Sequence, residues 1–382
     1  MKIAYFTDTF VPNINGIVTS ILNSSENLAK KGNKIYIFTI KPKEKNFQIP
    51  KLHKNIQVFH YPRLNLIKYP DFQLAYPKLL DINKKFKEIN PDIIHIHTPS
   101  IFGWAALILN NKYKKPVVGT YHTLLPDFLD YLPLPIFNKS KTAKRLTWGY
   151  TRKFYNKCNI VTTPSIAMKQ ELEKHGIKNV KFLSNGVDLK KFHPIQSKKD
   201  GKTILHVGRI GYEKNIDVLI KAFNELLKKN KNVKLLIAGK GPDLEGLKEF
   251  TQKLGISKNV EFLGPIKHDN LPKLYSKADI FVTPSTVETE GLVILEAMAC
   301  GLPIIGVNKL AVPYIVKNNK NGFITKPGDY KEIANCMEKL LKDKKSREKF
   351  GKESLILVKE FSLESIIKKI EEIYKELIKK KK

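Results

Sequence analysis

The 382-residue chain is 42% hydrophobic, which excludes a disordered polypeptide and gives enough apolar material for two cores, too much for one ordinary domain. Its 68 Lys and Arg against 36 Asp and Glu leave a formal charge of +32, which draws it toward phosphate-rich partners: nucleotides, nucleic acid or anionic lipid. Charge does not choose among these, because many lysines, such as those from Lys342 to Lys349, fit solvated helix faces.

The chain opens with a strand-like run, Lys2 to Phe6, too short for a signal peptide and interrupted by Asp8. A turn-rich stretch to Gly16 and a helical pattern to Leu28 follow, giving a strand-loop-helix start. Apolar runs at Ile35 to Ile40, Ile93 to His97, Val117 to Tyr121 and Ile160 to Thr163 alternate with helical segments, the pattern of a parallel sheet covered by helices. The longest candidate membrane span, Ile101 to Leu109, is about half of the roughly 20 residues required. A soluble or peripheral protein that stays in the cytoplasm is expected. After Asn185-Gly186 a second series begins, with runs at Thr203 to Val207, Val233 to Ala238, Val260 to Leu263, Ile280 to Thr283 and Pro303 to Val307. The expected architecture is α/β: two Rossmann-like domains, 1–183 and 184–361, facing a cleft. Ser362 to Lys380 places Ile366, Ile367, Ile370, Ile373, Tyr374 and Ile378 at helical spacing, so 362–382 is expected to be an amphipathic helix returning to the N-terminal domain. Cys158, Cys300 and Cys336 are odd in number and widely spaced, as expected of buried, reduced thiols.

The segment from Pro284 to Pro303, PSTVETEGLVILEAMACGLP, leaves a strand and opens a helix, a junction that aims backbone N–H groups at anions. Glu288 and Glu296 are separated by seven residues, which puts one on the loop and the other in the helix. Two carboxylates at different depths can hold different hydroxyls; taken singly, they also fit a helix-start residue and a surface residue.

The whole string closely resembles the E-x7-E signature of the retaining glycosyltransferases of family four, which have the GT-B fold. The resemblance extends along essentially the full chain. Gly16, after Pro12-Asn-Ile-Asn, resembles the family's N-terminal glycine loop, where a missing Cβ lets phosphate and acceptor approach. Gly208-Arg209 and Glu213-Lys214 resemble its phosphate clamp, with Arg209 and Lys214 neutralising the departing diphosphate. Gly239-Lys-Gly241-Pro and Gly264-Pro-Ile266 resemble the loops that hold the nucleotide base, although GxGP alone also fits any strand-to-helix turn. His122, at the end of a first-domain strand, is implied to contact the donor sugar near the reacting carbon; a structural histidine is the alternative. Glu288 is implied to grip sugar hydroxyls, Glu296 the ribose, and the backbone of Gly291, Leu292 and Val293 the phosphate. Glu290 departs from the family, where many members carry an aromatic.

The resemblance implies transfer with retention from a nucleotide-sugar, UDP-glucose favoured, and no cofactor or metal. No P-loop, H-E-x-x-H or G-x-S-x-G motif is present, nor a DxD pair where a metal-dependent transferase uses one. The stretch Pro12 to Ser20 is similar to that of bacterial diacylglycerol glucosyltransferases, implying a membrane lipid acceptor such as 1,2-diacylglycerol. A soluble or polymeric sugar acceptor, or a nucleotide-sugar 2-epimerase, is the alternative. No zinc finger, RRM or KH signature supports nucleic acid as a partner. The sequence leaves the oligomeric state open.

Tyr131 to Gln170 contains eight Lys or Arg, among them Lys139, Lys141, Lys144, Arg145 and Arg152, and no Asp or Glu. Phe137, Leu146, Trp148, Tyr150, Phe154 and Tyr155 are interleaved, as in helices that lie on an anionic membrane surface; a helix packed on the first domain with a solvated basic face, Trp148 and Phe154 being core, is the alternative. The expected location is therefore peripheral, on the inner face of the cell membrane.

Overall fold

The computed structural model describes residues 1–13, 15–42, 47, 50–65, 73–75, 78–122, 140–197 and 199–381, with the backbone alone at 64, 65 and 73–75. The chain divides into two compact units, Met1–Asn185 with Ile366–Lys382, and Gly186–Ser365. Each is a parallel sheet covered by helices, the α/β class expected.

In the first unit, β1 (Lys2–Phe6), β2 (Lys34–Ile40) and β3 (Ile56–Tyr61) precede a short antiparallel pair, β4 (Arg63–Asn65) and β5 (Gln73–Ala75). β6 (Ile93–Ile96), β7 (Val117–Thr120), β8 (Ile160–Thr163) and β9 (Val180–Phe182) complete a sheet of order β3-β2-β1-β6-β7-β8-β9. β6, β7 and β8 are buried at every residue, because a parallel sheet with helices on both faces has no wet side. Phe6 and Phe38, register partners on β1 and β2, stack with centroids 4.6 Å apart. The helix Gly16–Lys30 starts at Asn15, whose side-chain oxygen accepts the Val18 N–H at 3.0 Å.

The terminal helix, Leu363–Lys379, buries Ile366, Ile367, Ile370, Ile373, Tyr374 and Leu377. Leu377 takes the place expected for Ile378, which is half-buried. Glu371 pairs with Lys31 at 3.0 Å and Glu376 with Lys181 at 3.5 Å, so this stripe is held on the first unit by packing and by charge.

In the second unit, β10 (Thr203–Val207), β11 (Lys234–Ala238), β12 (Val260–Gly264), β13 (Ile280–Thr283), β14 (Ile304–Val307) and β15 (Gly322–Thr325) form a parallel sheet of order β12-β11-β10-β13-β14-β15. Alternation along β10 and β13 feeds two cores. Ile204, Ile280 and Val282 join Leu219, Phe223 and Met337, while Leu205 and Phe281 join Leu295, Met298 and Val312. Cys158 and Cys300 are buried and free; Cys336 is also free but only half-buried, since its side of the helix Tyr330–Lys342 reaches the surface, which corrects the expectation of three buried thiols.

In both sheets the chain reverses direction of winding beside the first strand, between β1 and β6 and between β10 and β13. Open α/β sheets bind ligands beyond the carboxyl ends of their strands at such switch points.

Candidate active site

In the second unit, Lys214 follows β10 and Glu288 follows β13, so the two come from opposite sides of the switch point. They meet at 2.7 Å between Nζ and Oε1. Burial alone would raise the Glu288 carboxyl; the Lys214 ammonium, with help from the Ser285 hydroxyl, outweighs it and holds the group below the usual carboxylate range. Asn215, at a left-handed φ of 52°, donates from Nδ2 to Thr286 Oγ1 at 3.1 Å and ties the same two loops together. Arg209, two residues beyond β10, is exposed.

Gly291 takes φ +75° and starts the helix Leu292–Ala299, with no side chain capping the first turn. The N–H groups of Leu292 and Val293 therefore stand at a helix N-terminus, where partial positive charge collects. Five of the eight residues of this helix are buried, and Glu296 is its polar exception. Its side chain is only 12% exposed, so it is not a surface residue. Glu296 accepts the Tyr275 hydroxyl at 2.9 Å and faces His268 Nε2 at 3.4 Å, which fixes the direction of both carboxylate oxygens. Glu290 is buried.

The loops after β10, β11 and β12 are laced backbone to backbone. Gly208 N donates to Ala238 O at 3.0 Å, Ile210 N to Lys240 O at 3.0 Å, and Gly239 N to Gly264 O at 2.8 Å. A Cβ on Gly239 would lie 1.8 Å from Gly208 O, and one on Gly241 2.0 Å from Ile210 O. Glycine at both positions is explained by this lacing alone. Ile266 packs, half-buried, against the core on that side.

In the first unit, Gly16 is exposed on the first turn of its helix, and a Cβ there would meet nothing within 4 Å. Asp8, beyond β1, accepts Thr98 Oγ1 at 2.7 Å and the Ser100 hydroxyl, both beyond β6, and so bridges the first switch point. Burial raises its carboxyl. His122 lies two residues beyond β7, half-buried, with Nε2 3.2 Å from His97 Nδ1. Burial pulls its imidazole down to about 3.

Lys141, Lys144, Arg145, Trp148 and Arg152 share the helix Lys141–Tyr155 and, with Lys174 and His175, line a groove of about 650 Å³. Trp148 stacks on His175 at 3.7 Å and packs against the core. Phe154 and Tyr155 are wholly buried, so they are core residues and unavailable to a membrane: for Phe154 the packed alternative holds, and the interfacial reading of both is corrected, because helix packing claims one face of the segment. Leu146 and Tyr150 are exposed. Lys139 and Phe137 lie outside the described residues.

Sequence reasoning missed Tyr275, His268, Asn215, Asp8 and His97. Only His97 carried a signal, since His95-Ile-His97 in a strand-like run puts two imidazoles on one face. Among the described residues, no three His, Cys, Asp or Glu converge so as to hold a metal ion, and no helix is long and apolar enough to cross a membrane.

Residues 14–191 match the family model described as Glycosyltransferase Family 4, and 188–355 match that described as Glycosyl transferases group 1. The chain is 30% identical to the alpha-monoglucosyldiacylglycerol synthase of Streptococcus pneumoniae, over 99% of this chain and 86% of that one. Among solved structures, sucrose-phosphate synthase of Thermosynechococcus elongatus superimposes with a TM-score of 0.82 at 21% identity, covering 98% of each chain. HepE of Anabaena, solved in complex with UDP-glucose, gives 0.75 at 20% identity over 98% of this chain and 100% of that one. The laced loops, the paired Lys214 and Glu288 and the full-length relationship to the pneumococcal synthase lead to one conclusion: the chain belongs to glycosyltransferase family four and has the GT-B fold.

Proposed function

We propose that this protein transfers a glucosyl group from UDP-glucose to a membrane lipid, 1,2-diacylglycerol or a close analogue, with retention at the anomeric carbon and without a metal ion. The observation that carries the chemistry is the Lys214–Glu288 pair beside the uncapped helix at Gly291. Breaking a nucleotide-sugar bond develops negative charge on the departing diphosphate. The ammonium of Lys214 spends one N–H on Glu288 and keeps two for phosphate oxygens; Arg209 adds a fork of donors, and Leu292 and Val293 add backbone N–H groups. Fixed cations and dipoles are thereby assigned the charge neutralisation a divalent ion supplies in other transferases. A carboxylate has about four lone-pair sites, so beyond those engaged by Lys214 and Ser285 Glu288 keeps acceptor capacity for sugar hydroxyls. Glu296, held by Tyr275, is assigned the ribose, Gly239, Gly241 and Ile266 the base, Gly208 the phosphate, and Gly16 and His122 the reacting end of the donor.

The lipid acceptor is supported by the name of the pneumococcal relative and by the basic groove. Lys141, Lys144, Arg145 and Arg152 on one helix, each contributing about 1 kcal/mol near an anionic surface, suit a peripheral enzyme on the inner face of the cell membrane. A panel of radiolabelled nucleotide-sugars, each with lipid extract, with soluble saccharides or with neither, tests the reading. Label in the lipid phase from UDP-glucose, undiminished by EDTA, is expected. Label confined to soluble saccharides would overturn the acceptor; interconversion of the nucleotide-sugar without transfer would overturn the reaction class.

A further inference from the structure

Three imidazoles are stacked inside the first unit. His95 and His97 alternate on and just beyond β6, with ring centroids 4.1 Å apart and planes 29° from parallel. His122 continues the stack, its centroid 5.5 Å from that of His97 and its plane 17° away. His95 is saturated at both nitrogens: Nδ1 meets the Tyr374 hydroxyl at 2.5 Å, and Nε2 meets Thr120 Oγ1 at 2.6 Å. His97 is not. Its Nδ1 faces His122 Nε2, while its own Nε2 is buried with no hydrogen-bond partner among the described residues.

A neutral imidazole has one N–H and one lone pair, so the His97–His122 contact can be written two ways. If His122 donates from Nε2, the proton of His97 is forced onto its own Nε2, as a buried N–H with no acceptor. If His97 donates from Nδ1, only a lone pair is left bare at Nε2. Orphaned buried N–H groups are the rarer of the two, and an unmet buried donor costs about 1–3 kcal/mol. Burial keeps the three rings neutral, pulling His95 and His122 down to about 3 and His97 well below its ordinary value.

We infer that His97 is a positioning residue that holds His122 as the Nδ1–H tautomer, so that His122 meets its ligand as a hydrogen-bond donor and not as a base. The nature of that ligand, an oxygen of the donor sugar, rests on the transferase reading; the tautomer does not. Tyr374 serves the same end at one remove. Its hydroxyl holds His95, and the His95 ring backs His97, so the terminal helix supports the stack.

Long-range proton–nitrogen correlation spectra of the ¹⁵N-labelled full chain, without donor, read the tautomer, with His122 assigned through His122→Gln. A protonated Nδ1 and a pyridine-like Nε2 are expected; the opposite pattern overturns the inference. His97→Phe keeps a ring in the stack but no nitrogen. It is expected to abolish the single-tautomer signature and to lower kcat on the order of tenfold or more, with little change in donor KM. His97→Asn, which returns an N–H near the position of Nδ1, is expected to restore both. A folded His97→Phe protein with an unchanged His122 spectrum overturns the inference; should it fail to fold, the wild-type and His97→Asn spectra decide. Absence of any transferase activity would sink the functional reading and leave the spectroscopic result standing.

Discussion

Lys214 and Glu288 leave strands on opposite sides of the switch point in the second sheet and meet at 2.7 Å with side chains 19% and 12% exposed. Removing either leaves the other as a largely buried, unmatched charge. Glu288→Gln is therefore expected to lose turnover by at least about 100-fold and stability by about 1–3 kcal/mol. The stability loss has a defined pH dependence. The Glu288 carboxyl is held below its ordinary value of 4.5, so the pair stabilises the fold above that value and ceases to as pH falls through the folded-state value. Thermal melts of wild type and Glu288→Gln are expected to differ at neutral pH and to converge as pH falls through the lowered folded-state value of the Glu288 carboxyl; a constant difference would refute the pairing.

Glu296 holds its place through Tyr275 and His268. Glu296→Ala is expected to abolish transfer, while Tyr275→Phe, which frees the carboxylate without removing it, raises the KM for the nucleotide-sugar several-fold and leaves kcat nearly intact. Steady-state kinetics on both variants checks this. Equal losses in kcat would show that Tyr275 does more than orient Glu296.

Glycines that look alike in sequence are expected to fail differently. Gly239→Ala and Gly241→Ala drive a Cβ to 1.8 and 2.0 Å from backbone oxygens, so they should part the laced loops and cost about 1–3 kcal/mol or more of stability. Gly16→Ala meets nothing within 4 Å and should melt as wild type does. Any loss of turnover in Gly16→Ala then reports a close approach by substrate. Calorimetry of the three variants separates the cases, and a destabilised Gly16→Ala would remove Gly16 from the site.

The basic face of the helix Lys141–Tyr155 should bind anionic vesicles in a salt-sensitive way. Reversal of Lys141, Lys144 and Arg145 to Glu is expected to abolish sedimentation with phosphatidylglycerol vesicles and to leave the weak binding to phosphatidylcholine unchanged. Equal binding of wild type to both vesicles would contradict electrostatic docking. With Phe154 and Tyr155 in the core, Leu146 and Tyr150 are the exposed large apolar side chains of this helix, so charge should dominate.

The two sheets were legible because parallel strands buried on both faces read as mainly apolar runs: Ile93 to Ile96, broken only by His95, and Ile280 to Val282 have no wet face to impose alternation. Of the edge strands, β12 was legible as the run Val260 to Leu263, whereas β3, β9 and β15 were not. Val180–Phe182 buries one residue of three, too little to stand out from a loop, and Gly322–Thr325 begins with a glycine. Glu288 and Glu296 stood out as a spaced pair, whereas their supports are distant in sequence: Lys214 from Glu288, Tyr275 from Glu296. The polar ladder from Ser24 through Tyr5 and Tyr374 to His95 had no signal at all, since Tyr374 also fits the apolar stripe of its helix and its partner lies 279 residues away.

The most direct test of lipid glucosylation is to incubate the purified protein with UDP-glucose and vesicles containing diacylglycerol in the presence of EDTA, and to measure released UDP, glycolipid and its anomeric configuration together. One glycolipid formed per UDP released, with the α-configuration of the donor preserved, is the expected result. UDP release without glycolipid, a β-linked product, or activity that returns only when a divalent ion is added would contradict it.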